Sequence, residues 1–178
     1  MNICVFCSAQ TVAGIYTDAA IGFATLIGER GHTLVWGGSD RGMMKTIADA
    51  SQAAGARIVG VSMELLKEKA RQNADQMIIM PTLGERKAGL LARADAVVVL
   101  PGGLGTFDEV TEVLELKKQR LHDKPIVFLN TEGFYGGFKL QLERMEKEGF
   151  LPQPLAEYLS FADTPEEAMR YIEEHGKS

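Results

Sequence analysis

The sequence predicts an α/β fold, a single domain with a Rossmann-like parallel sheet and helices on both faces. Short runs that are apolar throughout alternate with longer stretches whose apolar residues recur at helical spacing. Strands covered on both faces read as continuous apolar runs, and amphipathic helices carry a 3.6-residue period. Such alternation implies right-handed β-α-β units in one parallel sheet. The 178 residues suit one domain around one core, with no repeat, low-complexity tract or interdomain linker.

The elements follow in order. Strands are expected at "ICVFC" (3–7), "TLVW" (33–36), "RIVGV" (57–61), "QMIIM" (76–80), "DAVVVL" (95–100) and "PIVFL" (125–129). Helices are expected between them at 16–30, 41–54, 62–72, 83–93 and 106–119, and after the sixth strand at 134–148. "FLPQPL" breaks the chain. "TPEEAMRYIEEH" then predicts a last helix, with Thr164 as N-cap and Pro165 at its first position.

Composition excludes several function classes. Nineteen Lys and Arg against 24 Asp and Glu leave a net charge of −5, so no general basic surface awaits nucleic acid. An anionic ligand must therefore be held by local backbone amides and a few placed cations. "MNICVFCSAQ" lacks the basic flank and long apolar stretch of a signal peptide, and no run reaches the roughly 18 apolar residues of a membrane helix. The expected compartment is the cytoplasm. Cys4 and Cys7 form a C-x-x-C, but inside a strand, where positions i and i+3 face opposite sides. A redox pair sits at a helix start instead.

In an open α/β sheet, ligands bind beyond the carboxyl ends of the strands. Four segments leave strands there with unusual chemistry: "CSAQ" (7–10), "WGGSDRGMMK" (36–45), "TLGERKAGLL" (82–91) and "LPGGLGTFDE" (100–109). Gly37, Gly38 and Gly42 form one strand-to-helix glycine turn, and Gly102, Gly103 and Gly105 a second. Glycine lets a ligand approach the backbone, and the helix start beyond offers unpaired N–H groups suited to phosphate. Neither turn is a complete G-x-G-x-x-G or a Walker A loop. A tight turn without a ligand is the plainer reading of each. Thr106 and Glu109 also fit a capping box, in which both side chains serve only local backbone donors.

"PGGLGTFDE" matches P-G-G-x-G-T-x-x-E. With the upstream Arg86-Lys87 pair and the earlier glycine turn, it resembles the Lonely Guy family over nearly the whole chain. The resemblance implies hydrolysis of the N-glycosidic bond of an N6-modified adenosine 5'-monophosphate, releasing free base and ribose 5-phosphate. It implies no nicotinamide, metal or pyridoxal cofactor. Many relatives carry the label lysine decarboxylase. That chemistry needs a Schiff-base lysine and a partner for the pyridinium nitrogen, and this sequence offers no such pair.

The resemblance makes Arg86 and Glu109 catalytic. Cleaving an N-glycosidic bond builds positive charge on the sugar, which a fixed Glu109 can oppose while accepting hydrogen bonds from ribose hydroxyls. Arg86, which holds its proton, can donate to the departing purine or the phosphate. The amides of residues 103 to 106, Leu104 included, are expected to hold the 5'-phosphate. Lys87 is expected to bind phosphate or support the site. Glu64 stands where relatives carry an acidic residue that contacts the ligand, though it reads equally well as a surface helix residue. Met43 and Met44 are core filler or the lining of a purine pocket. Trp36 reads as core, and His32 and His122 as turn or surface residues.

Departures cluster around the phosphate and base pockets. Lys45 replaces the last glycine of the relatives' first turn, Gly84-Glu85 precede the Arg-Lys pair in place of Met-His, and Ser8-Ala9-Gln10 replace Gly-Ser-Ser. Glu115 stands where plant-type members tend to have a threonine near the ligand. Two rivals therefore remain: a nucleotide or molybdenum-cofactor carrier without turnover, and a general nucleoside-monophosphate glycosidase acting on AMP. Relatives are homodimers or larger, with sites near the subunit interface, so at least a dimer is expected here.

Overall fold

The computed structural model describes residues 1–176. Seven parallel strands form one sheet: β1 (Asn2–Phe6), β2 (Thr33–Trp36), β3 (Arg57–Met63), β4 (Gln76–Met80), β5 (Ala96–Val99), β6 (Ile126–Leu129) and β7 (Ser160–Ala162). Their order is β4-β3-β2-β1-β5-β6-β7. The chain winds outward from β1 to β4, crosses back to β5 on the other side of β1, and winds outward again. Helices α1 (Gly14–Glu29), α2 (Gly42–Ala53) and α6 (Pro165–His175) cover one face. Helices α3 (Leu83–Arg93), α4 (Leu104–Lys118) and α5 (Gly136–Lys147) cover the other. Reversing the direction of winding while every crossover stays right-handed requires this change of face.

Each strand side feeds its own core. Ile3, Val5 and Cys7 pack with Phe23 and Ile27 of α1, while Cys4 and Phe6 pack with Leu90 of α3 and Val113 of α4. Cys4 and Cys7 are thus buried free thiols on opposite faces, as the strand period requires, and burial pushes both well above the ordinary thiol range. Trp36 is fully buried, in the core as expected.

The last helix is capped as expected. Thr164 Oγ1 accepts from the Glu167 amide, the Glu167 carboxylate accepts from the Thr164 amide, and Pro165 is the first helical residue. One expected helix is replaced: β3 runs on to Met63, and residues 64–69 form only a short 3-10 turn. Met63, Leu66 and Ala70 recur at helical spacing, but six residues of 3-10 turn satisfy that pattern here, and Leu65 stays 82% exposed. The helix expected at 134–148 begins at Gly136, after a 3-10 turn at 131–133. Strand β7 was not expected. Its three residues are too few to show a pattern, and they join the sheet at its edge by pairing with β6. His32 and His122 are half-buried rather than free at the surface, with Glu173 accepting from one and Val113 O from the other. Among the described residues, no helix is long and apolar enough to cross a membrane.

Candidate active site

The reversal of strand order lies between β1 and β5, and that is where an open α/β sheet leaves a crevice at its carboxyl edge. A cavity of about 370 Å³ occupies it. The segment leaving β1 lines it with Cys7, Ser8, Ala9 and Gln10, and the segment leaving β5 with Gly103, Leu104, Gly105, Thr106, Asp108 and Glu109. Arg86 closes it from α3, and Met44, Met63, Leu66 and Leu83 form an apolar side. A larger hollow of about 540 Å³ at the far end of α4 contains neither a glycine turn nor a buried carboxylate.

Helix α4 starts at Leu104 with Gly103 as N-cap, two residues before the expected start. Its first intrahelical bond from outside the helix is Phe107 N to Gly103 O at 3.0 Å. The amides of Leu104, Gly105 and Thr106 therefore lie in the first turn, where backbone donors lack intrahelical partners. A Cβ added at Gly103 or Gly105 would meet nothing within 4 Å, so the approach to these amides is open. At Gly102 an added Cβ would come within 2.1 Å of Thr106 Oγ1, so this glycine makes room for a protein atom. The capping box suggested by Thr106 and Glu109 does not form. Thr106 is already the third helical residue, and Glu109 has another partner.

That partner is Arg86. Its Nη1 donates to Glu109 Oε1 at 2.7 Å and its Nε to Val61 O at 3.0 Å. Both side chains are only 6% exposed as residues, yet both line the cavity. Burial pushes the Glu109 carboxyl above its ordinary range, and the Arg86 guanidinium pulls it part of the way back. Helix α3 holds Arg86 through its own first turn: Thr82 Oγ1 accepts from the Glu85 amide, and Thr82 O accepts from the Arg86 amide. Glu85, one of the unusual residues before the Arg-Lys pair, thus serves the cap, its carboxylate accepting from Thr82 Oγ1 at 2.7 Å.

The first glycine turn lies behind the cavity rather than on its wall. A Cβ at Gly37 would sit 2.2 Å from Arg86 Nη2, so this glycine makes room for the guanidinium. Gly38 and Gly42 have φ of +75° and +52°, and added Cβ atoms would strike Met77 and the Ala9 carbonyl. Gly37, Gly38, Gly42 and Gly102, expected to touch the ligand, therefore do not line this cavity, and the space beside each is filled by protein. Met43 does not line it either. It is 2% exposed in the core between α2 and the sheet, and its neighbour Met44 faces the cavity.

Three further expectations lie outside the cavity wall. The Lys87 ammonium bonds Asp108 of the cavity wall at 3.0 Å and Glu112, and the Glu112 bond chiefly raises its pKa; it ties α3 to α4, which is the supporting role offered beside phosphate binding. Glu64 is exposed on the 3-10 turn and pairs with Lys67 at 3.0 Å. Glu115, six residues beyond Glu109, is exposed on α4 beside Gln119 and Lys118. The sequence reading missed Asp108, Met63, Leu66 and Leu83. Asp108 adjoins the motif glutamate. The other three carry no signal beyond apolarity, and only the fold brings them to one cavity.

Comparisons with known proteins meet the geometry here. A family profile described as "Possible lysine decarboxylase" matches residues 44–172. A cytokinin riboside 5'-monophosphate phosphoribohydrolase of Mycobacterium tuberculosis is 34% identical over 95% of this chain and 91% of its own. One from Arabidopsis thaliana is 31% identical over 98% of this chain and 82% of its own. The chain belongs to the Lonely Guy family. Among solved structures, a molybdenum cofactor binding protein from Rippkaea orientalis matches with a TM-score of 0.74 at 20% identity, covering 97% of this chain and 95% of that one. A molybdenum cofactor carrier protein from Chlamydomonas reinhardtii matches with a TM-score of 0.72 at 22% identity, covering 97% and 96%. These two share the fold of this Lonely Guy member, at identities that speak for the fold alone.

Proposed function

We propose that this chain hydrolyses the N-glycosidic bond of an adenosine 5'-monophosphate, N6-modified as in the substrates its relatives are named for, releasing the free base and ribose 5-phosphate. The observation that carries this reading is a buried Arg86–Glu109 pair on the wall of the same cavity as the open first turn of α4. The Leu104, Gly105 and Thr106 amides, at the positive end of the helix, suit the 5'-phosphate. Glu109, just over a turn further along the same helix, then meets the sugar.

The bond from ribose C1' to the purine nitrogen breaks with its electron pair leaving on the base. Positive charge grows on the sugar ring, and the Glu109 carboxylate opposes it at short range in a low-dielectric pocket. Water delivers its hydroxyl to C1' and its proton to the departing base. Arg86, held by Val61 O and Gly37, donates to charge that develops on the base or to the phosphate. The apolar side formed by Met44, Met63, Leu66 and Leu83 suits the purine and an apolar N6 substituent. A decarboxylase of the pyridoxal type needs a lysine in its cavity, and none lines this one among the described residues. A carrier without turnover has no need of the ion pair.

Leu83 and Leu104 at the cavity and Leu65 beside it are exposed, Leu104 by 91%. This apolar rim supports closure of the site by a second copy of the chain, as a dimer or larger assembly, and light scattering should find no monomer at working concentrations. The setting proposed is the cytoplasm, which suits a protein with two free thiols. The test of the reaction is incubation with isopentenyladenosine monophosphate and with AMP, followed by chromatography for free base. Release from the first and little from the second supports the reading, comparable release from both favours a general nucleoside-monophosphate glycosidase, and release from neither overturns it.

A further inference from the structure

Arg71 is a buried cation that the proposed reaction does not use. Its side chain is 6% exposed. Nη1 bonds Asp40 Oδ1 at 2.9 Å and Asp49 Oδ1 at 2.6 Å, and Nη2 donates to Gln52 Oε1 at 2.7 Å. Stability alone is a weak reason for such a cluster, because desolvating the charges offsets most of what their pairing contributes. The question is what the cluster holds in place.

It holds the first glycine turn. The Arg71 amide donates to Gly38 O and the Asp40 amide to Lys69 O, each at 2.9 Å, and Ser39 and Ala70 form an antiparallel bridge. Residues 69–71 thus strap the segment 38–40 from outside, and the guanidinium locks the strap to Asp40 on the turn and to Asp49 and Gln52 on α2. On its inner side the same turn presents Gly37 to the Arg86 guanidinium. Past Gly42, the Met44 amide donates to Ser8 O at 3.2 Å, joining the turn to another segment of the cavity wall.

We propose that Arg71 is a positioning residue for Arg86, keeping the Gly37 wall in place so that the guanidinium stays on Glu109. This rests on the reaction proposed above. The phosphate seat belongs to the other glycine turn and α4, which Arg71 does not touch. Loss of Arg71 should therefore slow turnover without weakening substrate binding.

The experiment uses the full chain and the variants Arg71→Met, which keeps bulk without charge, and Arg71→Lys, which keeps charge without the fork. Kinetics of base release from isopentenyladenosine monophosphate are read beside amide hydrogen exchange and thermal unfolding. For Arg71→Met, kcat should fall about tenfold or more, since small misplacements of reacting groups cost that much. KM should move by less than about threefold, and amides of residues 36–44 should exchange about tenfold faster. Arg71→Lys should recover melting temperature more than kcat, because a point charge does not replace the two-sided fork. Should Arg71→Met fail to fold, Asp40→Asn and Gln52→Met loosen the fork one partner at a time and should lower kcat in the same direction. A lowered melting temperature with unchanged kcat per folded molecule overturns the proposal, as does faster exchange with unchanged kcat. If the unmutated protein releases no base, the proposed reaction has failed, and exchange at residues 36–44 alone decides whether Arg71 holds the turn.

Discussion

The two glycine turns read alike in sequence and do opposite things. Each follows a strand, opens a helix and places three glycines within six residues. In the turn of Gly37, Gly38 and Gly42, the space a side chain would fill is taken by protein: Arg86, Met77 and the Ala9 carbonyl. In the turn of Gly102, Gly103 and Gly105, only the space at Gly102 is taken, and the other two face open space at the cavity. Positive φ separates them as well, present at Gly38 and Gly42 and absent throughout the second turn. One turn uses glycine to let the chain pack against itself, the other to leave backbone amides within reach of a ligand. A glycine-rich signal thus marks close approach to something, and the structure says to what.

The Arg86–Glu109 pair joins the two turns, and the largest effect is expected there. Glu109→Gln keeps the shape and a hydrogen-bond acceptor but removes the charge, and kcat should fall by about 10²–10³ in base-release assays while the protein stays folded by circular dichroism. A fully active Glu109→Gln removes this residue from the mechanism. Acid should reach the same state in the wild type. Since the folded carboxyl is raised and must be ionised to act, the acid limb of the kcat/KM profile should lie above the ordinary glutamate range. The stability sign is the reverse: for a raised acid, the contribution is fully present below the unfolded pKa and is lost as pH rises through the folded value.

Next comes Gly37→Ala. Its methyl would collide with Arg86 Nη2, so stability should drop by about 1–3 kcal/mol in urea melts, with a matching loss of kcat. Gly103→Ala is the sharper contrast. Its Cβ would meet nothing, so stability should change by no more than about 0.5 kcal/mol, yet KM should rise about tenfold if it displaces one charge-assisted hydrogen bond to phosphate. Unchanged KM would move the phosphate seat elsewhere. Gly105→Ala, whose amide belongs to the proposed phosphate seat, should raise KM in the same way, and its effect on stability is small. An alanine in the first helical turn with open space should stabilise by up to about 0.5–1 kcal/mol, measurable as a slightly raised melting temperature.

Much of the fold was legible. Six of seven strands and the helix spanning Leu83–Arg93 follow from local period alone, because two-sided burial imposes an unbroken apolar run and one-sided burial a 3.6-residue period. The stretch at 62–72 misled because Met63, Leu66 and Ala70 keep a helical spacing over too short a run to distinguish a helix from a strand end and a 3-10 turn. At the candidate site, Arg86 and Glu109 were legible as members of a spaced motif. Met43 and Met44 were not separable, since adjacent helical residues of one type differ only in the direction the helix turns them. Arg71 left no trace in the sequence. Its partners lie between 19 and 31 residues away, and nothing local marks a charge as buried.

By itself, the sequence determined the order of strands and helices and the carboxyl edge at which two glycine turns and an Arg-Lys pair must gather, and its family resemblance singled out Arg86 and Glu109. The order and the edge follow from period and spacing, properties of neighbours along the chain. Only the tertiary structure decided which turn opens to a cavity, which carboxylate faces the buried guanidinium, and that Lys87, Glu64 and Glu115 lie off the cavity wall. The reason is that a missing Cβ or a buried charge acquires its meaning from whatever fills the space beside it, and that neighbour arrives from a distant part of the chain.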